Sequence, residues 1–271
     1  MTEPRWTIVI PYFNEEKWLP ATLASLSAQS LRPFRVVLVD NGSTDSTPGI
    51  ASAWAGAQQE IDVSLLTQPI PGQVHALAMG IAAANTEFLA ICDADTIYPP
   101  QYFETATRRM DAAPKGVIGF IAHDTGADPG SLGERLGRFL YTHIIPNILT
   151  HQAHGGGYAH LMRTAPFKAS GGYDPKLWPY VLKDHELVHR LWKQGRIAYA
   201  EDLWVQPSPR RADRKGVRWT LPERILYHLT LPGQKDWFFY KFLQPRFAAR
   251  GQKDTVLRAQ SWAAGQDGPA A

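Results

Sequence analysis

Phe88-Leu89-Ala90-Ile91-Cys92-Asp93-Ala94-Asp95-Thr96-Ile97-Tyr98-Pro99-Pro100 is the stretch from which the rest of the chain is read. Its apolar half is short, holds no Gly or Pro, and stops abruptly at two aspartates. A run of that character is a buried strand of a mostly parallel sheet, delivering Asp93 and Asp95 at its carboxyl end. Open α/β sheets collect their ligands at that edge. Two carboxylates one residue apart on a bending backbone can offer oxygens to one hard divalent cation. Mg2+ and Mn2+ take one or two carboxylates and fill the rest of their shell with water and substrate phosphate. Taken alone, an Asp-x-Asp after a strand is more often turn chemistry and solvated charge, so the neighbouring segments must decide.

Upstream, strand and helix patterns alternate. Thr7-Ile8-Val9-Ile10 reads as a strand stopped by Pro11, with Asn14 the N-cap and Glu15 and Glu16 the first turn of a helix carrying Leu19, Leu23 and Leu26. Arg35 to Val39 is a second strand, ending in the polar turn Asp40-Asn41-Gly42-Ser43-Thr44-Asp45, and Thr47-Pro48 opens the next helix. Val63 to Leu66 is a third strand, Pro69 to Gln73 a loop, and Val74 to Ala84 an Ala-rich helix. Repeated alternation of this kind builds right-handed βαβ units on a parallel sheet. Every strand ends in polar residues, so Asn14, Glu15, Asp40, Asp45, Gln73, Asp93 and Asp95 gather on one edge.

Beyond residue 100, Tyr102 to Met110 is expected as helix, Val117 to Ile121 as strand, and Leu132 to Leu149 as a packed helix broken by Pro146. Gly155-Gly156-Gly157 forms a loop where backbone must approach something closely, a ligand phosphate or a neighbouring helix. A second glycine turn holds Gly171-Gly172-Tyr173-Asp174. Asp184-His185-Glu186-Leu187 opens a helix with an apolar stripe, and Ile197 to Leu203 is a final strand.

With 271 residues, 44% hydrophobic and 20% charged, the chain is one large domain or one domain with appendages, and wholesale disorder is excluded. No apolar run approaches the roughly 20 residues that span a bilayer, and no leader is expected at the N-terminus. Cys92 is the single cysteine, which fits a reducing, cytoplasmic setting. The net charge of +3 conceals a division: residues 1–204 hold 16 Lys+Arg against 20 Asp+Glu, and residues 205–271 hold 12 against 5. A weakly acidic body with a basic tail points the tail at something anionic, while the acidic body argues against wrapping nucleic acid.

Taken together, Ile8-Val9-Ile10-Pro11-Tyr12-Phe13-Asn14-Glu15, Val39-Asp40-Asn41-Gly42-Ser43-Thr44-Asp45, Asp93-Ala94-Asp95, the glycines at 155, Gly171-Gly172-Tyr173-Asp174 and Asp184-His185-Glu186-Leu187 stand in an order that resembles glycosyltransferase family 2. These are inverting enzymes of GT-A fold that act on nucleotide-sugar donors. The resemblance covers roughly residues 6–206. It implies an α/β, Rossmann-like, mostly parallel sheet flanked by helices, with a nucleotide-sugar-binding half over about 1–100, an acceptor half over 101–206 and a basic, amphipathic extension over 207–271. It implies that Pro11, Tyr12, Asn14, Glu15 and Asp40 hold the base and ribose of the donor, a UDP-sugar by default. Gln73 and Asp93-Ala94 would meet ribose or donor sugar, Asp95 with Asp93 would hold Mn2+ or Mg2+, and Asp184 would be the general base. The acceptor would be a glycan or lipid-linked hydroxyl in cell-envelope polysaccharide or glycolipid synthesis.

Several residues keep two readings. Asp184 is a general base or an N-cap; Trp178 and Tyr180 are core or a stacking surface for the acceptor; His151, His154 and His160 fit no standard zinc spacing and read as loop or core. Lys183 replaces an acidic residue common in the family and is expected to alter the local charge or contact an anionic acceptor. Gln73-Val74-His75-Ala76-Leu77 is poorer in basic residues than the family's loop, and no extra histidine ligand follows the final strand. In the tail, Arg210 and Arg211 either close over the donor diphosphate or form a solvated face. The aromatics from Trp219 to Phe242 either cap the core or lie on an anionic membrane through residues 207–245, which would make the chain peripheral. The competing functions are a sugar nucleotidyltransferase-like enzyme, against which no Gly-rich basic loop follows the first strand, and a non-catalytic binder of membrane or nucleic acid.

Overall fold

In the computed structural model, residues 3–124, 131–140, 144–148, 151–152, 156–209 and 217–259 are described. The first half is β1 (Trp6–Tyr12), α1 (Leu19–Ser27), β2 (Phe34–Asp40), α2 (Thr47–Gly56), β3 (Ile61–Thr67), α3 (Gln73–Ala83), β4 (Phe88–Ile91) and the short β5 (Thr96–Ile97). The second half holds α4 (Tyr102–Asp111), β6 (Val117–His123), α5 (Leu132–Phe139), α6 (Ile145–Ile148), β7 (His160–Arg163), α7 (Thr164–Ala169), α8 (Lys183–Trp192), β8 (Arg196–Trp204) and β9 (Gln206–Pro207). Helices α9 (Leu221–Leu229) and α10 (Gln244–Ala249) follow, joined through a π-helical run over Trp237–Leu243.

Seven strands form one sheet in the order β3-β2-β1-β4-β7-β6-β8. The pairs β3–β2, β2–β1, β1–β4 and β6–β8 are parallel, and only β7 runs against its neighbours. β1, β2 and β4 are apolar and buried almost throughout because helices cover both faces, whereas the edge strand β3 alternates. Helix α3 lies unusually close to the sheet. A Cβ on Gly80 would come within 2.4 Å of Val9 Cγ1, so glycine is what the approach requires. Connections from β1 run outward through β2 and β3 and then return to β4 on the other side. That reversal opens the ligand crevice between the carboxyl ends of β1 and β4, above Tyr12 and Asp93.

β1 continues through Pro11 to Tyr12, past the expected stop. Val9 faces β4, whose Cys92 N–H donates to the Val9 carbonyl at 3.0 Å. Pro11, two residues on, faces the same side just where β4 has ended, so its missing N–H costs the ladder nothing. Of the helix expected over Leu132 to Leu149, the described residues are helical, but its apolar positions are not covered: Leu132, Leu136, Phe139 and Ile148 stay exposed.

A second hydrophobic cluster joins Trp178 and Val181 to Tyr227, Phe238, Phe239, Leu243 and Phe247. Lys235 is fully buried there, its ammonium 3.7 Å from the Tyr227 ring centroid and bonded to the Tyr227 carbonyl, and burial brings its pKa down to about 8. Four of the eight described aromatics of the tail are therefore buried, and Trp219, Leu226, Tyr240 and Phe242 pack partly against them. Leu221, Ile225, Leu229, Leu231 and Trp237 stay exposed. Among the described residues no helix is long and apolar enough to cross a membrane.

Candidate active site

The loops after β1 and β2 hold each other. Asn14 sits in the left-handed region at φ 52° and accepts the Thr44 N–H at 2.8 Å, while its own N–H donates to Ser43 Oγ at 3.1 Å. The Glu15 N–H donates to Thr47 Oγ1 at 2.7 Å, and Asp45 accepts the Thr47 N–H and hydroxyl. Asn14 is thus a clamp between two loops and not the N-cap of α1, which begins only at Leu19 after Trp18. Asp40, at the end of β2, accepts the Ser43 N–H at 3.0 Å. Burial beside that carboxylate pushes the Tyr12 phenol up to about 12. Asn41 ties the loop after β2 to the loop after β3, donating to the Gln68 and Ile70 carbonyls and accepting the Gly72 N–H.

Asp93 and Asp95 flank a turn between β4 and β5. Asp93 accepts from Gln73 Nε2 at 3.2 Å, at the first residue of α3. The Ala94 carbonyl is taken by Thr22 Oγ1 at 3.0 Å, which fixes the turn to α1. Asp95 is buried; its backbone carbonyl accepts the Ser208 N–H at 2.8 Å and its Oδ2 the Ser208 hydroxyl at 2.7 Å. Ser208 reaches it because β9 pairs with β5. It stands just past Gln206 and Pro207, where the sequence offered no ligand. Two hard oxygen donors one residue apart suit Mg2+ or Mn2+ when phosphate and water complete the shell. Among the described residues no group of three His, Cys, Asp or Glu is gathered for a metal.

Across the crevice, Asp184 is the second residue of α8, whose N-cap is Leu182 at φ 59°, so capping does not account for it. Its Oδ1 accepts the Tyr173 hydroxyl at 2.6 Å. Burial pushes this carboxyl up, yet Lys183, His160, the Tyr173 bond and His185 outweigh that and hold it at about 2. Tyr173 is positioned from beneath. The buried pair Glu186–Arg190 is bidentate, at 2.6 and 2.8 Å, and Arg190 also donates to the carbonyls of Ser170 and Gly172. Tyr240 donates to Glu186 as well, linking the tail to this network.

The two halves meet through Tyr98. Its hydroxyl accepts the Asp93 N–H at 3.0 Å and donates to the Tyr158 carbonyl at 3.2 Å. Next to Tyr158, Gly157 stands so close to the base candidate that a Cβ there would lie 2.6 Å from Asp184 Oδ1 and 2.9 Å from the Tyr173 hydroxyl. The close neighbours of Gly157 are therefore helix α8 and Tyr173. At Gly156 they are the ring of Tyr158.

The expected residues do not all converge. Trp178 is buried, donates through Nε1 to the Val181 carbonyl and packs edge-on against Phe239, so it serves the second core and offers no face to an acceptor. Lys183 flanks Asp184. His160 is buried on β7, and His151 stacks on Trp192 at 5.2 Å. Gly155, His154, Arg210 and Arg211 lie outside the described residues. Tyr98, Tyr173 and Ser208 were missed. The first two carried a weak signal, standing within motifs already singled out, but Ser208 is 113 residues from its partner.

The chain is similar to known proteins in both sequence and fold. A family model described as glycosyl transferase family 2 matches residues 7–171. The succinoglycan biosynthesis protein ExoA of Rhizobium meliloti is 33% identical over 256 residues, covering 87% of this chain and 74% of that protein. An uncharacterized glycosyltransferase of Mycobacterium tuberculosis is 42% identical over 89 residues, a match spanning 33% of this chain and only 36% of the relative. In three dimensions the mannosyltransferase PcManGT of Pyrobaculum calidifontis, solved with GDP-Man and Mn2+, has TM-score 0.62 at 18% identity, covering 96% of this chain and 77% of that one. TarS 1-349 of S. aureus in complex with UDP-GlcNAc has TM-score 0.57 at 20% identity, covering 90% and 73%.

Proposed function

From the premise that this chain belongs to glycosyl transferase family 2, we propose that it transfers a sugar from a nucleotide-sugar donor to an acceptor hydroxyl with inversion and with a divalent cation. The observation that best supports this reading is the Tyr98 hydroxyl, which accepts the Asp93 N–H and donates to the carbonyl of Tyr158, the neighbour of Gly157 that lies against Asp184. Asp95, with Asp93, would hold Mn2+ or Mg2+. When bound, the cation neutralises charge growing on the departing diphosphate. Asp40 and the clamped loop at Tyr12, Asn14 and Glu15 bind and orient the nucleoside, with Pro11 shaping the strand end. Gln73 and the Asp93-Ala94 turn face the donor sugar. Asp184 accepts the acceptor's proton as the new bond forms on the face away from the diphosphate. No covalent enzyme intermediate is needed.

The acceptor class we favour is a glycan or lipid-linked hydroxyl, presented at an anionic membrane. Leu221, Ile225 and Leu229 recur at one turn's spacing on α9, joined by Leu231 and Trp237, with Arg218, Arg224 and Lys241 exposed among them. The test of the central reading is a pair of variants. Asp184→Asn should keep nucleotide binding and lose 10²–10⁴-fold in transfer, the range of a general base, whereas Asp95→Ala should lose Mn2+-dependent nucleotide binding. Transfer at near wild-type rate in Asp184→Asn would sink the base assignment. Release of pyrophosphate from a nucleoside triphosphate would favour the nucleotidyltransferase instead.

A further inference from the structure

The last described segment, a 3-10 turn over Asp254–Ala259, lies well outside the family match at 7–171, yet it is folded onto the nucleotide edge of the sheet. An isolated antiparallel bridge between Tyr180 and Lys253 brings it there, and the Asp254 N–H donates to the Pro179 carbonyl at 3.0 Å. Two side chains then reach the loops after β1, β2 and β3. Asp254 accepts the Val74 N–H at 2.8 Å, and its carboxylate stands about where a Cβ on Gly72 would point, at 2.9 Å. A helix N-terminus is ordinarily a ready place for a phosphate. At α3 the chain's own carboxylate already occupies it.

The second side chain is Arg258. Its guanidinium carbon lies 3.6 Å from the Phe13 ring centroid. Nη1 donates to Asn41 Oδ1 at 2.7 Å and Nη2 to the Asn41 carbonyl at 2.9 Å, across a sequence separation of 217 residues. Asn41 directly follows Asp40, and Phe13 directly follows Tyr12, so the cation is fastened between the two loops expected to hold the nucleoside. It remains partly exposed. A guanidinium is planar, stays charged and stacks on aromatic and nucleobase planes. A flat cation held on one face by Phe13 and along its edge by Asn41 is preorganised to receive a second ring. The loop at Gln73-Val74-His75-Ala76-Leu77 is short of such groups, and Arg258 supplies from the far end of the chain what that loop lacks.

We propose that Arg258 is a donor-binding residue, forming with Phe13 and Asn41 the wall against which the donor's nucleobase packs, so that the C-terminal segment is a working part of the nucleotide pocket. This rests on the donor reading above and names what holds its nucleoside end. The experiment is calorimetric titration of the full chain and of its Arg258→Ala, Arg258→Lys and Phe13→Leu variants. The ligands are UDP, GDP, CDP and dTDP, and separately inorganic pyrophosphate, all with Mn2+. The nucleotide that the wild type binds should lose at least tenfold in affinity in Arg258→Ala and in Phe13→Leu, and less in Arg258→Lys. Pyrophosphate affinity should stay within twofold, because the diphosphate end is untouched. Unchanged nucleotide affinity in Arg258→Ala overturns the proposal. Tighter binding also overturns it, by making Arg258 an occupant of the base's place, and a parallel loss of pyrophosphate makes it merely structural. A wild-type chain that binds none of the four nucleotides removes the donor reading itself, and this proposal with it.

Discussion

A single methyl group tests the acceptor side of the site. In Gly157→Ala the new Cβ would lie 2.6 Å from Asp184 Oδ1 and 2.9 Å from the Tyr173 hydroxyl, about 0.8 and 0.5 Å inside ordinary contact at 3.4 Å. The backbone itself accepts alanine, since Gly157 is not among the positive-φ glycines. Retreat is closed to both partners. Tyr173 is buried against Phe167, and Asp184 is a short side chain on the first turn of α8. The methyl therefore breaks the 2.6 Å bond between them or turns the carboxylate aside. Losing a hydrogen bond to a charged group costs roughly 1.5–3 kcal/mol of stability. A misplacement of about 1 Å at a reacting group costs about 10²-fold in rate. Steady-state transfer should show kcat down by about 100-fold, with nucleotide affinity by calorimetry within twofold of wild type. Gly49→Ala is the control, because nothing lies within 4 Å of a Cβ there, and it should leave kcat unchanged. Gly157→Ala retaining kcat within threefold, or losing nucleotide binding in parallel, would refute the placement of Asp184 at the reacting hydroxyl.

Three further outcomes follow from the contacts. Ser208→Ala removes the hydroxyl donated to Asp95 Oδ2; the Mn2+ concentration giving half-maximal nucleotide binding should rise 10–100-fold, as for other groups that orient a ligand, and an unchanged Mn2+ titration would separate Asp95 from the metal. His189 is buried among Phe239, His151 and Lys193, and burial brings its pKa down from 6.5 to about 4 despite the bond to Asp236. The unfolded chain then binds more protons between those values, so stability rises with pH across that window, and about 2 kcal/mol should be lost between pH 7 and pH 5 by urea denaturation; an equal loss in His189→Gln would acquit this residue. Replacing Leu221, Ile225 and Leu229 together by serine should abolish co-flotation with vesicles containing anionic lipid while leaving nucleotide binding intact, and flotation that persists would place the membrane contact elsewhere.

The sheet was legible because its strands are continuous apolar runs ending in polar residues, a pattern that burial on both faces enforces wherever it occurs. Asp93, Asp95 and Asp184 stand out as candidates for a related reason: each lies just past the end of a strand or in the first turn of a helix, where the fold also puts it. The failures share another cause. Asn14 before two glutamates obeys the local logic of a cap, but its side chain is claimed by Thr44, thirty residues away, and no window of sequence contains that partner. Trp178 has the composition of either a core or a stacking residue; only the later Phe239 and Phe247 decide between them. Periodicity in Leu132 to Leu149 tells which residues share a face and not what covers that face, which is why a packed helix was expected where Leu132 and Leu136 are exposed. Ser208 and Arg258 likewise owe their places to pairings that span 113 and 217 residues.

A carboxyl held at about 2 looks ill suited to a general base, whose efficiency rises as its pKa nears the working pH. The acceptor's own chemistry resolves this. A sugar hydroxyl is a very weak acid until its oxygen begins to bond to the anomeric carbon, whereupon its proton becomes strongly acidic and passes to almost any carboxylate within reach. Basicity is then the lesser requirement, and ionisation and aim the greater. Lys183, His160 and Tyr173 serve both: their positive field and hydrogen bond keep Asp184 charged throughout the physiological range, and Tyr173, itself held by Arg190 through the Gly172 carbonyl, fixes one carboxylate oxygen, which on the proposed reading leaves the other for the acceptor. On that reading the same field would also suit an anionic acceptor. What the site gives up in base strength it recovers in orientation, which is why a methyl at Gly157 should cost more than any modest change in the carboxyl's acidity.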